Sequence, residues 1–210
     1  MGRLIVIEGI DGAGKRTLAE ALEGALAGRV ARMAFPRYGV SVYGDLIRDG
    51  LHGRLGAFGD EVHGMAMLYA LDRREAAPDI RALLDAHDYV LLDRYVASNA
   101  AFGAARLHQG AGGEFVGWVH EIELGRFGVP VPHAHLLLRV PPVIAAARST
   151  RRAQTEADRG RDTWESDDAL QSRVAAVYDG LAAADWLAPW HVVDGSTVPD
   201  TAELAKKLAE

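Results

Sequence analysis

The stretch Leu4-Ile5-Val6-Ile7-Glu8-Gly9-Ile10-Asp11-Gly12-Ala13-Gly14-Lys15-Arg16-Thr17 decides the fold. An apolar run feeds a glycine-rich loop, and the loop opens an amphipathic segment rich in Ala and Leu. This is the strand–loop–helix pattern that cradles the phosphates of a nucleoside triphosphate. Glycines let the backbone turn tightly and approach the phosphates, because no Cβ intervenes. Loop N–H groups and the helix N-terminus then face the polyphosphate with partial positive charge. Gly9, Gly12, Ala13, Gly14, Lys15, Arg16 and Thr17 are the expected ATP-binding residues, and Lys15 reaches the β- and γ-phosphates. A glycine-rich turn that merely precedes a helix is the bland alternative, and the spacing counts against it. The loop departs from its usual form at one place. Arg16 stands where a magnesium-binding hydroxyl normally follows the lysine, with Thr17 one place later. Asp11, inside the loop, is therefore the first candidate to hold magnesium.

Outward from this motif, apolar runs alternate with longer amphipathic segments, which implies β-α-β units and a parallel sheet. Strands are expected at 4–8, 30–35, 89–93, 135–140 and 190–194. Helices are expected at 15–27, 41–51, 59–86, 97–108, 113–126, 142–152, 165–185 and 199–209, with Pro78 kinking or splitting the third. The expected fold class is α/β: a three-layer P-loop kinase fold with a central five-stranded parallel sheet flanked by helices, in one domain over 1–210. Ligands of such a sheet bind at the carboxyl ends of the strands.

The chain has 210 residues, 49% hydrophobic and 25% charged, which is ordinary for one soluble domain. It has no cysteine, which excludes disulfides, a thiolate zinc site and a cysteine nucleophile. No apolar run reaches membrane-spanning length and no signal-like segment opens the chain, so a cytoplasmic protein without a membrane partner is expected. A net charge of −6 argues against a general nucleic-acid binder. The basic residues are nearly all arginine, the lysines being Lys15, Lys206 and Lys207.

Five further groups carry chemistry. Phe35-Pro36-Arg37-Tyr38-Gly39 follows the second strand and offers a cation and two aromatics to an anionic ligand; a turn with a structural aromatic competes. Asp93-Arg94-Tyr95 ends the third strand, where a P-loop enzyme places a carboxylate near the metal. Arg94 can grip a phosphate with its planar fork. On the next helix Ser98, Asn99 and Phe102 follow, and Asn99 offers both a donor and an acceptor to a base edge. Helix capping by Ser98 or Asn99 is the competing account. Tyr69 and Arg73 share a helix face at a spacing of four and suit a base pocket. Taken singly, Tyr69 reads as core and Arg73 as solvated. Arg148, Arg151, Arg152, Arg159 and Arg161 crowd around Ser149–Asp162, a polar segment that reads as a mobile lid. A lid arginine can speed phosphoryl transfer by about 10³–10⁵-fold. Asp162 and Glu165 end the segment. Trp118, Trp164, Trp186 and Trp190 read as packing anchors, and the eight histidines show no ligand spacing.

These motifs together, from about Leu4 to Val193, resemble thymidylate kinase of the bacterial type with an Arg-rich lid. The Gly-Lys-Arg-Thr loop is similar to that of high-GC bacterial members. The resemblance implies transfer of the γ-phosphate of ATP to dTMP, with Mg2+, in dTTP synthesis. It implies that Asp11 sits near the acceptor phosphate and helps place magnesium, with Glu165 as a second carboxylate through water and Asp93 nearby. Arg94 would bind the dTMP phosphate, aided by Tyr38 and Phe35. Tyr69 would stack on thymine, Arg73 approach its O4 and Asn99 its N3 edge, with Ser98 and Phe102 completing the dTMP site. Arg148, Arg152 and Arg159 would stabilise the transferring phosphoryl. A homodimer is implied as well. Phe102 stands where the family commonly has tyrosine, so a hydroxyl near the sugar is missing. His133 follows Pro132 where the family usually has aspartate.

Two other classes compete. A P-loop regulatory switch would need a water-positioning residue, and the second phosphate-and-base constellation disfavours it. A kinase of pyrimidine deoxynucleosides shares the chemistry but accepts a neutral hydroxyl; Arg94 and Arg37, placed for an acceptor phosphate, count against it.

Overall fold

The computed structural model describes residues 1–155 (152–155 as backbone), 164 and 167–209. Five strands, β1 (Arg3–Glu8), β2 (Val30–Ala34), β3 (Tyr89–Asp93), β4 (Ala134–Arg139) and β5 (Trp190–Asp194), form one sheet in the order β2-β3-β1-β4-β5. Every pairing is parallel. Leu4, Ile5, Val6 and Ile7 of β1 and Val90, Leu91 and Leu92 of β3 are wholly buried. Successive strand side chains point to opposite faces, so burial of all of them requires cover on both faces.

That cover comes from α1 (Lys15–Ala25), α2 (Val42–Leu51), α3 (Val62–Ala86), α4 (Val96–Arg106), α5 (Glu114–His120), α6 (Pro142–Thr155), α7 (Asp168–Ala183) and α8 (Thr201–Ala209). α1 buries Leu18, Ala19 and Leu22, a helical stripe, and packs beside α8. α4 packs on α7, α5 and α3, and from Val96 to Ala105 it is buried throughout. The chain runs first to one side of β1 and then to the other, so a crevice opens at the carboxyl end of β1.

Three expectations need correction. α3 is not split at Pro78: it runs unbroken, with Ala76, Ala77 and Ile80 packed in the core, and tertiary burial outweighs the lost hydrogen bond. The helix expected over 113–126 is α5 followed by a π-helical segment, Glu121–Arg126. The wider turn turns Glu123 fully inward. The lid expected from Ser149 belongs, over Ser149–Thr155, to α6, and Ser149 is buried. His133 also gains a role. The Leu4 N–H donates to His133 Nδ1 (2.9 Å) and the His133 N–H to Leu4 O (2.8 Å), which extends the β1–β4 ladder by one residue.

Candidate active site

The glycine loop lies at the carboxyl end of β1. Gly12 has φ +79°, and a Cβ there would stand 2.1 Å from the Ala145 carbonyl oxygen of α6. Only glycine satisfies both demands. α1 starts at Gly14 with no side-chain cap and no acid in its first turn, whereas Ser41 caps α2 and Asp167 caps α7. Its N-terminal N–H groups stay directed at the cleft, as an anion cradle requires. Lys15 Nζ donates to the carbonyls of Gly9 (3.1 Å) and Ile10 (2.9 Å). Burial and the neighbouring Arg94 cation push its ammonium down to about 8, against the pull of Asp11, Asp93 and Glu8. Arg16 turns out along α1 and pairs with Glu20 at 3.0 Å, both largely exposed.

Across the loop, Arg94 ends β3 in the left-handed region, at φ 65°. Its guanidinium pairs with Asp11 Oδ1, and its Nη1 donates to Gly9 O (3.2 Å) and Ser98 Oγ (3.0 Å). It also lies over the Phe102 ring, 5.1 Å from the centroid. Asp11 is held on its other oxygen by Gln171 Nε2 (3.0 Å), while Gln171 Oε1 accepts the Asp11 N–H (3.1 Å). Burial pushes the Asp11 carboxyl up, but Arg94, Lys15 and the Gln171 amide together hold it below the usual carboxylate range.

The far wall is built by α3, α4 and the π-helical segment. Asn99 Nδ2 donates to Ala66 O (3.0 Å) and Glu123 Oε1 (2.8 Å). Glu123 also takes Nε and Nη2 of Arg73, at 2.5 and 2.8 Å, and both side chains are buried. Tyr69 and Phe102 line the cleft with Trp164, whose ring stacks on Phe102 (centroids 6.2 Å) and lies 6.1 Å from Tyr69. The whole forms one cleft of about 900 Å³, reaching from Gly12–Thr17 past Phe35, Tyr38, Asp93 and Arg94 to Asn99 and Phe102.

Several sequence expectations change here. Arg37 does not face a ligand: its Nε donates to Asp72 Oδ1 (2.8 Å), and Nη2 pairs with Glu75. The pairs bolt the Phe-Pro-Arg turn to α3, so Arg37 is structural while Phe35, Pro36 and Tyr38 line the cleft. Arg73, read singly, is not solvated but buried. It is not among the cleft-lining residues either, and with Nε and Nη2 on Glu123 it has Nη1 left to approach a base. Neither Ser98 nor Asn99 caps α4; Glu8, on β1, accepts the Tyr95 and Ser98 N–H groups instead. Trp164 is a wall of the cleft as well as a packing residue. Arg148 Nη1 donates to Gly195 O (2.8 Å) and Ala13 O (3.4 Å), which sets it beside the glycine loop. Arg159, Arg161, Asp162 and Glu165, and the side chain of Arg152, lie outside the described residues. Glu8, Glu123 and Gln171 escape a reading of motifs, and Asp72 stands beside Tyr69 and Arg73 with no sign of its partner, because each acts through a contact distant in sequence.

Comparisons with known proteins fit this geometry. A family model for thymidylate kinase matches residues 7–197. The thymidylate kinase of Mycobacterium tuberculosis is 51% identical over 209 residues, covering 98% of this chain and 97% of the relative. That of Xanthomonas oryzae pv. oryzae is 36% identical over 203 residues, covering 95% of this chain and 79% of the relative. Among solved structures, a thymidylate kinase from Candida albicans shares the fold with a TM-score of 0.70 at 22% identity, over 99% of this chain and 89% of that one. The resemblance drawn from the motifs is borne out, and the chain belongs to the thymidylate kinase family.

Proposed function

We propose that this chain transfers the γ-phosphoryl of ATP to dTMP, giving dTDP and ADP for dTTP synthesis. The observation that carries the assignment is a single cleft in which the glycine loop and the acceptor wall meet at the Asp11–Arg94 pair. ATP lies along Gly9 and Gly12–Thr17, with Lys15 leaving the loop carbonyls for the phosphates. Arg94 binds the acceptor phosphate, with Phe35, Tyr38 and Ser98 beside it. Tyr69 and Phe102 enclose the base and sugar. With its amide nitrogen given to Ala66 and Glu123, Asn99 presents its carbonyl oxygen to a ligand N–H. A thymine N3–H fits that acceptor; the bare N3 of cytosine does not. Arg73 supports this reading through Glu123.

The residues present fit a magnesium ion. Asp11 and Asp93 are hard oxygen donors beside the loop, and no cluster of three acidic or histidine ligands exists among the described residues. Mg2+ commonly takes one or two carboxylates and completes its shell with phosphate and water. When bound it neutralises charge on the transferring phosphate. Glu165 as a further carboxylate, and Arg148, Arg152 and Arg159 as the cations of the transition state, belong to the same proposal. So do a homodimer and a cytoplasmic location; no helix of the described residues is long and apolar enough to cross a membrane.

A coupled ADP-release assay over dTMP, dUMP, dCMP, dAMP and thymidine tests the reading. dTMP is expected to lead. dUMP should trail by about 1–3 kcal/mol, the worth of one methyl in an apolar pocket, and thymidine should be inert. Faster turnover of dCMP, dAMP or thymidine than of dTMP overturns it.

A further inference from the structure

We propose that Glu8, with the hydroxyl pair Ser98 and Tyr178, is the positioning device that aims Arg94 at the acceptor phosphate. The inference rests on the reading of Arg94 as the phosphate-binding cation and goes beyond it. Glu8 ends β1 and is fully buried. Its Oε1 accepts the Tyr95 N–H (2.9 Å) and the Ser98 N–H (3.2 Å). Its Oε2 accepts Ser98 Oγ (2.6 Å) and the Tyr178 hydroxyl (2.8 Å).

Two consequences follow for Arg94. The first concerns its backbone. A non-glycine residue at φ 65° persists only where its surroundings over-determine it. Here the N–H groups on either side of the Arg94 α-carbon both go to β1: that of Arg94 to Ile7 O (3.0 Å), that of Tyr95 to Glu8. The strand that begins the phosphate loop thereby fixes where the next helix starts. The second concerns the side chain. A carboxylate oxygen accepts and cannot donate. Ser98 Oγ and the Tyr178 oxygen also lie 2.8 Å apart, so the two hydroxyl hydrogens are spent on Glu8 or on the neighbouring hydroxyl, and either way both oxygens keep lone pairs for Arg94. Nη1 of Arg94 lies 3.0 Å from Ser98 Oγ and 3.5 Å from the Tyr178 oxygen. The pair holds Nη1 at the back, while the other face of the fork meets Asp11 and the cleft. When a phosphate draws on that face, the hold behind it remains. Buried, fully bonded networks of this kind specify one arrangement.

The test uses the full chain with Tyr178→Phe and Ser98→Ala. Glu8→Gln is a third variant, which puts a donor against the two hydroxyls. Calorimetric binding of dTMP and of thymidine, without ATP, isolates the phosphate's share of affinity. Tyr178→Phe and Ser98→Ala should each weaken dTMP by about tenfold or more, the scale of a hydrogen bond to a charged group. Thymidine and ATP affinities should hold. In an Arg94→Ala background the same changes should make no further difference to dTMP. Spectra of 15N-arginine-labelled chain supply a readout independent of substrate: Arg94 Nη signals, assigned with Arg94→Lys, should be resolved in the parent and averaged in the variants. A purely structural role would lower thermal stability and weaken dTMP and thymidine alike. That outcome, or unchanged dTMP affinity with unchanged Arg94 signals, overturns the proposal. Failure of the parent chain to bind dTMP would count against the acceptor assignment alone, and the Arg94 signals would still decide the positioning role.

Discussion

Two cations beside the glycine loop and two buried behind the acceptor side are held in opposite ways. On the glycine-loop side, Lys15 and Arg148 bond to backbone carbonyls, of Gly9, Ile10, Ala13 and Gly195. On the acceptor side, Arg37 and Arg73 are closed onto the carboxylates of Asp72 and Glu123. A neutral carbonyl yields its cation to an arriving phosphate at small cost. A buried carboxylate does not, since separating the pair leaves two charges out of water. The first two cations are placed for charge that must move, the other two for a fixed shape. Arg94 stands between them. It pairs with a carboxylate, Asp11, but remains partly exposed, with hydroxyls behind it.

The sharpest way to break this contrast is Glu123→Gln. It leaves Arg73 charged in a dry interior and disturbs Asn99, so unfolding free energy should fall by about 3–5 kcal/mol. Urea denaturation measures it, and a loss under 1 kcal/mol would mean that Arg73 reaches water or another acid. The loop side should respond in the opposite sense. Lys15→Met should lower kcat by about 10²–10³-fold, as removal of one transition-state donor does. Its melting temperature should barely change, because Lys15 lines the open cleft and Arg94 continues to donate to the Gly9 carbonyl. A large loss of stability with kcat preserved would reverse the roles of the two sides.

A buried group with no partner extends the comparison. His135, on β4, is fully buried and stacked on Trp190 (centroids 4.3 Å), and neither ring nitrogen has a hydrogen-bond partner among the described residues. Burial pushes its pKa down to about 3 from 6.5. Below pH 6.5 the unfolded chain therefore takes up a proton that the folded chain refuses. Stability is lost as pH falls from there toward 3, at about 1.4 kcal/mol per pH unit for one proton. His135→Phe should flatten this slope in urea titrations between pH 7 and 4; an unchanged slope would place the acid sensitivity elsewhere. The smallest effect belongs to Arg16→Ala. Arg16 is exposed and pairs with Glu20, so stability should change by no more than about 0.5 kcal/mol, with kcat near that of the parent. Loss of kcat by orders of magnitude would show that the loop helix itself supplies the transition-state charge.

The alternation of apolar and amphipathic segments made the strands legible nearly to the residue, and the central runs 4–7 and 90–92, covered on both faces, are apolar throughout. The glycine loop was legible because its chemistry is local: tight turns, a helix start and a lysine all lie within nine residues. Asp93-Arg94 was legible for the same reason. The buried cations behind the acceptor side were not. Arg37 looked like a ligand-binding cation and Arg73, singly, like a solvated one, because no sequence pattern announces the carboxylates of Asp72 and Glu123. Those partners lie 35 and 50 residues away, and Glu123 turns inward only through a π-helical turn that reads in sequence as ordinary helix.

By itself the sequence determined the sheet, the glycine loop at its carboxyl end and the residue types that gather beside it, because each follows from short-range pattern. Tertiary structure alone decided which charges are free to move and which are locked. Burial and partnership fix that choice, and both are properties of packing between distant segments.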